Sequence, residues 1–149
     1  MIAYEDLAVG TVLELPTYEV TAAEIVEFAA EFDPQPFHLD AESEQAASVG
    51  GLIASGWHTC AMAMRLFCDG YLLDSTSQGA PGVGAVRWLL PVRPGDTLTG
   101  TSTVREARLS AKRPGLGIVR FDHEFRNQRG ETVMTMDNTG MFLTREAAS

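Results

Sequence analysis

Apolar positions recur at helical spacing in two stretches of the chain and alternate at strand spacing in several others. In residues 21–32, Ile25, Phe28, Ala29 and Phe32 fall on one stripe, with Glu24, Glu27 and Glu31 on the other side. That is the pattern of an amphipathic helix. Thr21-Ala22-Ala23-Glu24 reads as a capping box at its start, the Thr oxygen accepting from an orphan amide and the Glu reaching back. Asp33-Pro34-Gln35-Pro36 ends the helix, because a proline disfavours helix at the residue before it. Asp40 is placed to cap a short acidic helix through Ala47, and Gly50-Gly51 punctuates after it. A second long helix is predicted over 55–72. There Trp57, Ala61, Met64, Cys68 and Leu72 form one stripe, and Cys60, Ala63, Phe67 and Tyr71 form the next. His58, Arg65 and Asp69 share a narrow third stripe with Met62. A helix apolar over most of its circumference is expected to be buried in something large.

The remaining patterns are strands. Residues 11–20 alternate loosely, and Pro16 suits a sheet edge or a bulge. Residues 83–90 form a strand candidate, followed by the turn cluster Pro91-Val92-Arg93-Pro94-Gly95-Asp96. Residues 97–104 alternate and are rich in Thr. In 118–125, Val119, Phe121, His123 and Phe125 face one side while Arg120, Asp122 and Glu124 face the other, so His123 reads as a core or interface histidine. After the Asn127-Gln128-Arg129-Gly130 turn, 132–143 is the last strand. A strand, two or three helices and then four strands on short turns predict an α+β fold whose antiparallel sheet wraps the long apolar helix.

Composition narrows the class. A chain of 149 residues with 45% hydrophobic and 21% charged residues is expected to form one domain over 1–149. It is long enough to hold a core without disulfides or a structural metal. No apolar run approaches the ~18 residues of a membrane span. Met1-Ile2-Ala3-Tyr4-Glu5-Asp6 does not open like a signal peptide, so a cytoplasmic protein with no membrane partner is expected. Cys60 and Cys68 are too far apart on a helix to bridge and are expected to be buried thiols. The net charge of −9 argues against a nucleic-acid partner. Residues 1–64 contain 11 acids and no Lys or Arg, whereas 65–149 hold all 11 basic residues, so an anionic ligand is expected to touch the second half.

Two stretches carry candidate chemistry. In Asp33-Pro34-Gln35-Pro36-Phe37-His38-Leu39-Asp40 a carboxylate and an imidazole lie five apart in a proline-stiffened segment. Such a segment aims both groups with little entropy left to lose, and the pairing suits acid–base work near neutral pH. In Gly51-Leu52-Ile53-Ala54-Ser55-Gly56-Trp57 a glycine opens a helix, where exposed amides suit an oxyanion. A packing glycine would read the same way.

Together these stretches resemble the MaoC-like dehydratase or R-specific enoyl-CoA hydratase family: an Asp, four residues, His-Leu-Asp, then Gly-x-Ile-Ala-x-Gly. Pro91-Val92-Arg93-Pro94-Gly95-Asp96-Thr97-Leu98 and Arg126-Asn127-Gln128-Arg129-Gly130-Glu131 also look like this family. The resemblance implies a hotdog fold, a homodimer with acyl-CoA sites between subunits, and reversible addition of water to a trans-2-enoyl-CoA. It implies that Asp33 and His38 are catalytic and that the Gly56 amide stabilises the oxyanion. It implies no metal, and no cofactor beyond the coenzyme A of the substrate. Two departures, Gln35-Pro36 where the family often has Asn-Pro and Ser55 where it often has His, bear on substrate choice.

Ser55, Trp57 and His58 are candidates for substrate contact, His58 also reading as a structural hydrogen-bonding residue. Arg108, Lys112 and Arg113 around Pro114-Gly115 are the local cation supply for CoA phosphates, or a solvated loop. Three histidines in separate segments make no zinc pattern. Gly79-Ala80-Pro81-Gly82-Val83-Gly84 lacks the Gly-Lys-Ser/Thr of a phosphate loop. Two other functions stay open: a hotdog thioesterase, for which the central helix offers only Asp69 as an acid, and a non-catalytic acyl-CoA-binding subunit.

Overall fold

The computed structural model describes residues 1–149. Its strands are β1 (Val12–Glu14), β2 (Tyr18–Glu19), β3 (Val83–Trp88), β4 (Thr97–Leu109), β5 (Leu116–Arg126) and β6 (Thr132–Leu143). They form one antiparallel sheet in the order β1-β4-β5-β6-β3, with β2 also paired to β4. The helices are α1 (Ala22–Phe32), α2 (Pro36–Leu39), α3 (Glu44–Ser48) and α4 (Gly56–Phe67). This is the α+β hotdog arrangement, with α4 packed on the inner face of the sheet. Phe67 of α4 lies 5.5 Å from Phe125 and 4.4 Å from His123, ring centre to ring centre.

Several local expectations need correction. The single first strand is two, because Pro16 has no N–H for the ladder and sits between β1 and β2. Thr21 caps α1 by accepting from the Glu24 N–H, but the Glu24 carboxylate accepts from the Tyr18 hydroxyl instead of closing a capping box. Ser43, not Asp40, caps α3; Asp40 accepts from the Glu42 N–H in a turn of its own. β4 runs to Leu109 rather than to 104, through a bulge between Val104 and Glu106 that breaks the alternation. The long helix narrows in definition too: α4 stops at Phe67 and continues as one wider π turn, Cys68–Leu72. Gly70 sits in that turn against Leu15 and Pro16, where an added Cβ would lie 3.1 Å from Leu15.

The expectation that the helix is buried nearly all round is also corrected. His58, Thr59, Met62, Ala63, Leu66 and Phe67 are buried, but Trp57 and Met64 are 63% and 51% exposed. The sheet ends at β3, which has β6 on one side and no strand on the other, so it leaves this stripe uncovered. Cys60 and Cys68 are accordingly half-buried free thiols rather than fully buried ones.

His123 is a core histidine, as its strand phase predicts. The Ser102 hydroxyl donates to its Nδ1 at 2.8 Å, and its Nε2–H donates to Asn138 Oδ1 at 2.8 Å. Burial lowers the pKa of His123, and it does the same at His58. Unfolding frees both rings to titrate near their ordinary value of about 6.5. Below that pH the unfolded chain binds more protons than the folded one, so their contribution is full above about 6.5 and is lost as pH falls toward the lower folded values. Urea unfolding should therefore show stability falling from about pH 7.5 to about pH 5.5. The His58→Gln variant should fall less steeply, and equal slopes would mean that this ring charges inside the fold.

Candidate active site

Asp33 takes the C-cap position of α1, its N–H bonded to Ala29 O, which turns the chain out of the helix. Gln35 is extended, as the following proline requires, and Pro36 opens α2, where its missing N–H costs nothing. One turn places His38 on the buried side, 4% exposed. A reciprocal clamp holds it there: His38 Nδ1–H donates to Ile53 O at 2.7 Å, and the Ile53 N–H donates to Phe37 O at 3.1 Å. This leaves His38 Nε2 facing Asp33 Oδ2 at 3.3 Å. The carboxylate is held from two further sides. The Ser55 hydroxyl donates to Oδ2 at 2.7 Å and the Gln35 amide donates to Oδ1 at 2.6 Å. These two donors, Ser55 foremost, hold the Asp33 carboxyl below its ordinary pKa, so it is an anion at neutral pH.

The pair opens on a cleft of about 440 Å³. Asp33, Gln35, His38 and Gly56 contribute its polar part, and Phe37, Trp57, Trp88, Leu89 and Leu90 its apolar walls. Gly56 begins α4, so its N–H has no carbonyl partner within the helix. Trp57 and Trp88 meet edge to face at 5.4 Å. Trp88 lies directly on Gly56: a Cβ there would sit 2.6 Å from Trp88 Cε2. Gly56→Ala should therefore destabilise the fold by about 1–3 kcal/mol through overpacking. Adding Trp88→Ala should recover most of that loss in urea unfolding, and a simple sum of the two single effects would rule out this contact as the cause.

The structure brings together Asp33, His38 and Gly56, with Ser55 behind them and Trp57 at the rim. It does not bring in the other candidates. His58 lies about 200° around the helix from Gly56 at ~100° per residue, so it points away from the cleft. It stacks on Phe28 at 4.7 Å instead, with Nδ1 buried and unpartnered. Arg108, Lys112 and Arg113 are exposed at the opposite end of the sheet. Arg108 pairs with Ile118, whereas Trp88 pairs with Met134, which pairs with Phe125. Ile118 and Phe125 are roughly 23 Å apart along β5 at ~3.3 Å per residue. Asp69 also lies outside the cleft, bound to Arg65 at 2.8 Å. Three residues of the site were not predicted as such: Gln35, which the sequence marks only as a departure from the family's Asn-Pro between two prolines; Ile53, which acts through its backbone; and Trp88, which comes from a distant strand.

The MaoC like domain model matches residues 6–123. The chain belongs to the MaoC-like family. Among solved structures, the MaoC-like dehydratase of Rhodospirillum rubrum shares 42% identity over 97% of this chain and 99% of that one, with a TM-score of 0.88. The R-hydratase PhaJ1 of Pseudomonas aeruginosa shares 27% identity over 97% and 87% of the two chains, with a TM-score of 0.77. The uncharacterized protein YdeM of Bacillus subtilis is 31% identical over 116 residues, 77% of this chain and 80% of that protein. In this MaoC-like chain the site residues all lie inside the matched segment. No helix is long and apolar enough to cross a membrane.

Proposed function

We propose that the protein is a hydro-lyase that adds water reversibly across the double bond of a trans-2-enoyl-CoA, or a related unsaturated acyl thioester, to give a 3-hydroxyacyl-CoA. The observation that carries this reading is the meeting of an ionised Asp33, the His38 imidazole and the first amide of α4 on one apolar-walled cleft. Membership of a family that includes R-hydratase relatives supports it.

Water is a poor nucleophile, and the alkene is activated only through the conjugated thioester carbonyl. Asp33, an acceptor with no proton of its own, takes a proton from water as the oxygen bonds to C3. The carbonyl oxygen then gains negative charge, and the Gly56 N–H stabilises it; losing one such donor costs roughly 10²–10³ in rate elsewhere. With Nδ1–H committed to Ile53, Nε2 is the ring nitrogen that delivers a proton to C2, and the step requires His38 to enter it as the imidazolium, with a second proton on Nε2. Proton return from Asp33 to His38 across their 3.3 Å contact restores the pair. The coenzyme A belongs to the substrate, and these steps use the chain's own groups.

The uncovered stripe of Trp57 and Met64, with the free β3 edge and exposed Leu89 and Leu90, supports a second copy of the chain as partner. Two β3 edges paired antiparallel would carry the β4–β5 hairpin of one copy toward the cleft end of the other. That is where Arg108, Lys112 and Arg113 would meet CoA phosphates, as none of the three has an ion-pair partner within the chain. Sedimentation at assay concentration should give a dimer, and a fully active monomer would remove the partner from the site.

The test is a panel of straight and branched trans-2-enoyl-CoAs, followed by loss of the conjugated enoyl absorbance and, in parallel, by release of free thiol. Absorbance loss without thiol is expected. Thiol release would mean a thioesterase, and saturable binding without turnover would mean a binding subunit.

A further inference from the structure

Ser is among the best N-cap residues, because its hydroxyl accepts from an amide of the first turn. This chain uses the device twice: Thr21 caps α1 through the Glu24 N–H, and Ser43 caps α3 through the Ala46 N–H. Ser55 holds the same position before α4, in extended backbone, yet makes no side-chain cap. Its hydroxyl turns the other way and donates to Asp33 Oδ2 at 2.7 Å, across 22 residues of sequence. The residue is 0% exposed and does not line the cleft, so the expected substrate contact is not made by this side chain.

The bond has a specific consequence for geometry. Asp33 Oδ2 is the oxygen that also faces His38 Nε2. Gln35 holds the other oxygen, but Gln35 is an exposed neighbour two residues along the same turn. Ser55 is the donor that ties the carboxylate to the start of α4, next to the Gly56 amide. It fixes how Asp33 stands relative to both the imidazole and the helix end.

We propose that Ser55 is a positioning residue for the hydration reaction, its hydroxyl withdrawn from helix capping to lock the Asp33 carboxylate toward His38. This rests on the hydro-lyase reading of the site. The hydroxyl also lowers the proton affinity of Asp33 and so keeps it ionised further into the acid range. Because Ser55 makes no cap, its removal costs α4 no capping bond, and its loss should be felt at Asp33 rather than in the helix.

The test compares Ser55→Ala with Ser55→Thr, which keeps a hydroxyl. In Ser55→Ala, kcat on the best enoyl-CoA should fall about 10- to 100-fold, the worth of one hydrogen bond to a charged group, while KM changes by less than about threefold. The acid limb of the kcat/KM profile should move to higher pH. Ser55→Thr should restore most of kcat and return the limb to its place. A carbon-13 NMR titration of the Asp33 carboxyl needs no substrate: its midpoint should rise in Ser55→Ala and return in Ser55→Thr. An unchanged midpoint in a folded Ser55→Ala protein overturns the proposal, and so does an unchanged pH profile. If Ser55→Ala does not fold, Ser55→Cys, of similar size but a weak donor, should give the same shift. A wild-type chain without turnover, together with a shifted midpoint, would overturn the hydro-lyase reading and leave the Ser55–Asp33 linkage standing.

Discussion

Asp33→Asn and His38→Ala should each lower hydration of a trans-2-enoyl-CoA by about 10²–10⁴-fold, the usual share of a positioned acid or base. The fold should survive both changes. Asp33 sits at a helix end with its side chain 18% exposed, and the neutral amide of Asn keeps its size. His38→Ala leaves a small gap beneath α2 and frees Ile53 O, so a modest drop in stability is expected beside the loss of turnover. The double variant should be little slower than either single one, because the two residues act as a unit on one water. Initial rates on one substrate, with circular dichroism to verify folding, decide the matter. Two independent losses that multiply would mean that the residues do not share a proton.

Phe121→Ala should have the largest effect on stability, about 3–5 kcal/mol, out of the roughly 5–15 kcal/mol that holds a domain together. Phe121 is 2% exposed on β5 and lies within 5.6–6.1 Å, ring centre to ring centre, of His123, Tyr71 and Phe142. It therefore joins two strands of the sheet to the π turn after α4. Truncation removes most of an aromatic side chain where neighbours from three elements cannot collapse together. A urea midpoint lowered in that proportion is the expected result. A loss below about 1 kcal/mol would mean that the sheet and the helix extension do not close on this ring.

Much of this was legible in the sequence, and the reasons differ by element. The alternation of Val119, Phe121, His123 and Phe125 survives because β5 is paired on both sides and one face is wholly buried. The Asp33–His38 spacing survives because prolines leave the segment few ways to fold. The Val104–Glu106 bulge hid the second half of β4, since a bulge inverts which face each later residue takes. The helix pattern named two apolar stripes on α4 but not which one the sheet covers. That depends on where β3 ends, a tertiary fact. His58 was a legible error: two residues along a helix turn a side chain almost to the opposite face. Ser55 was misread for a different reason. Beside Gly56 it reads as a substrate contact, and only the fold brings Asp33 within reach of its hydroxyl.

The measurement that bears most directly on the central claim is isotopic. The wild-type protein is given its best trans-2-enoyl-CoA in water labelled with heavy oxygen and deuterium, and the product is examined by mass spectrometry and NMR. Hydration by Asp33 and His38 places one heavy oxygen at C3 and one deuterium at C2 on an intact thioester, with neither appearing in the Asp33→Asn variant. Heavy oxygen in a free carboxylic acid, or no label at C3 in any product, would contradict it.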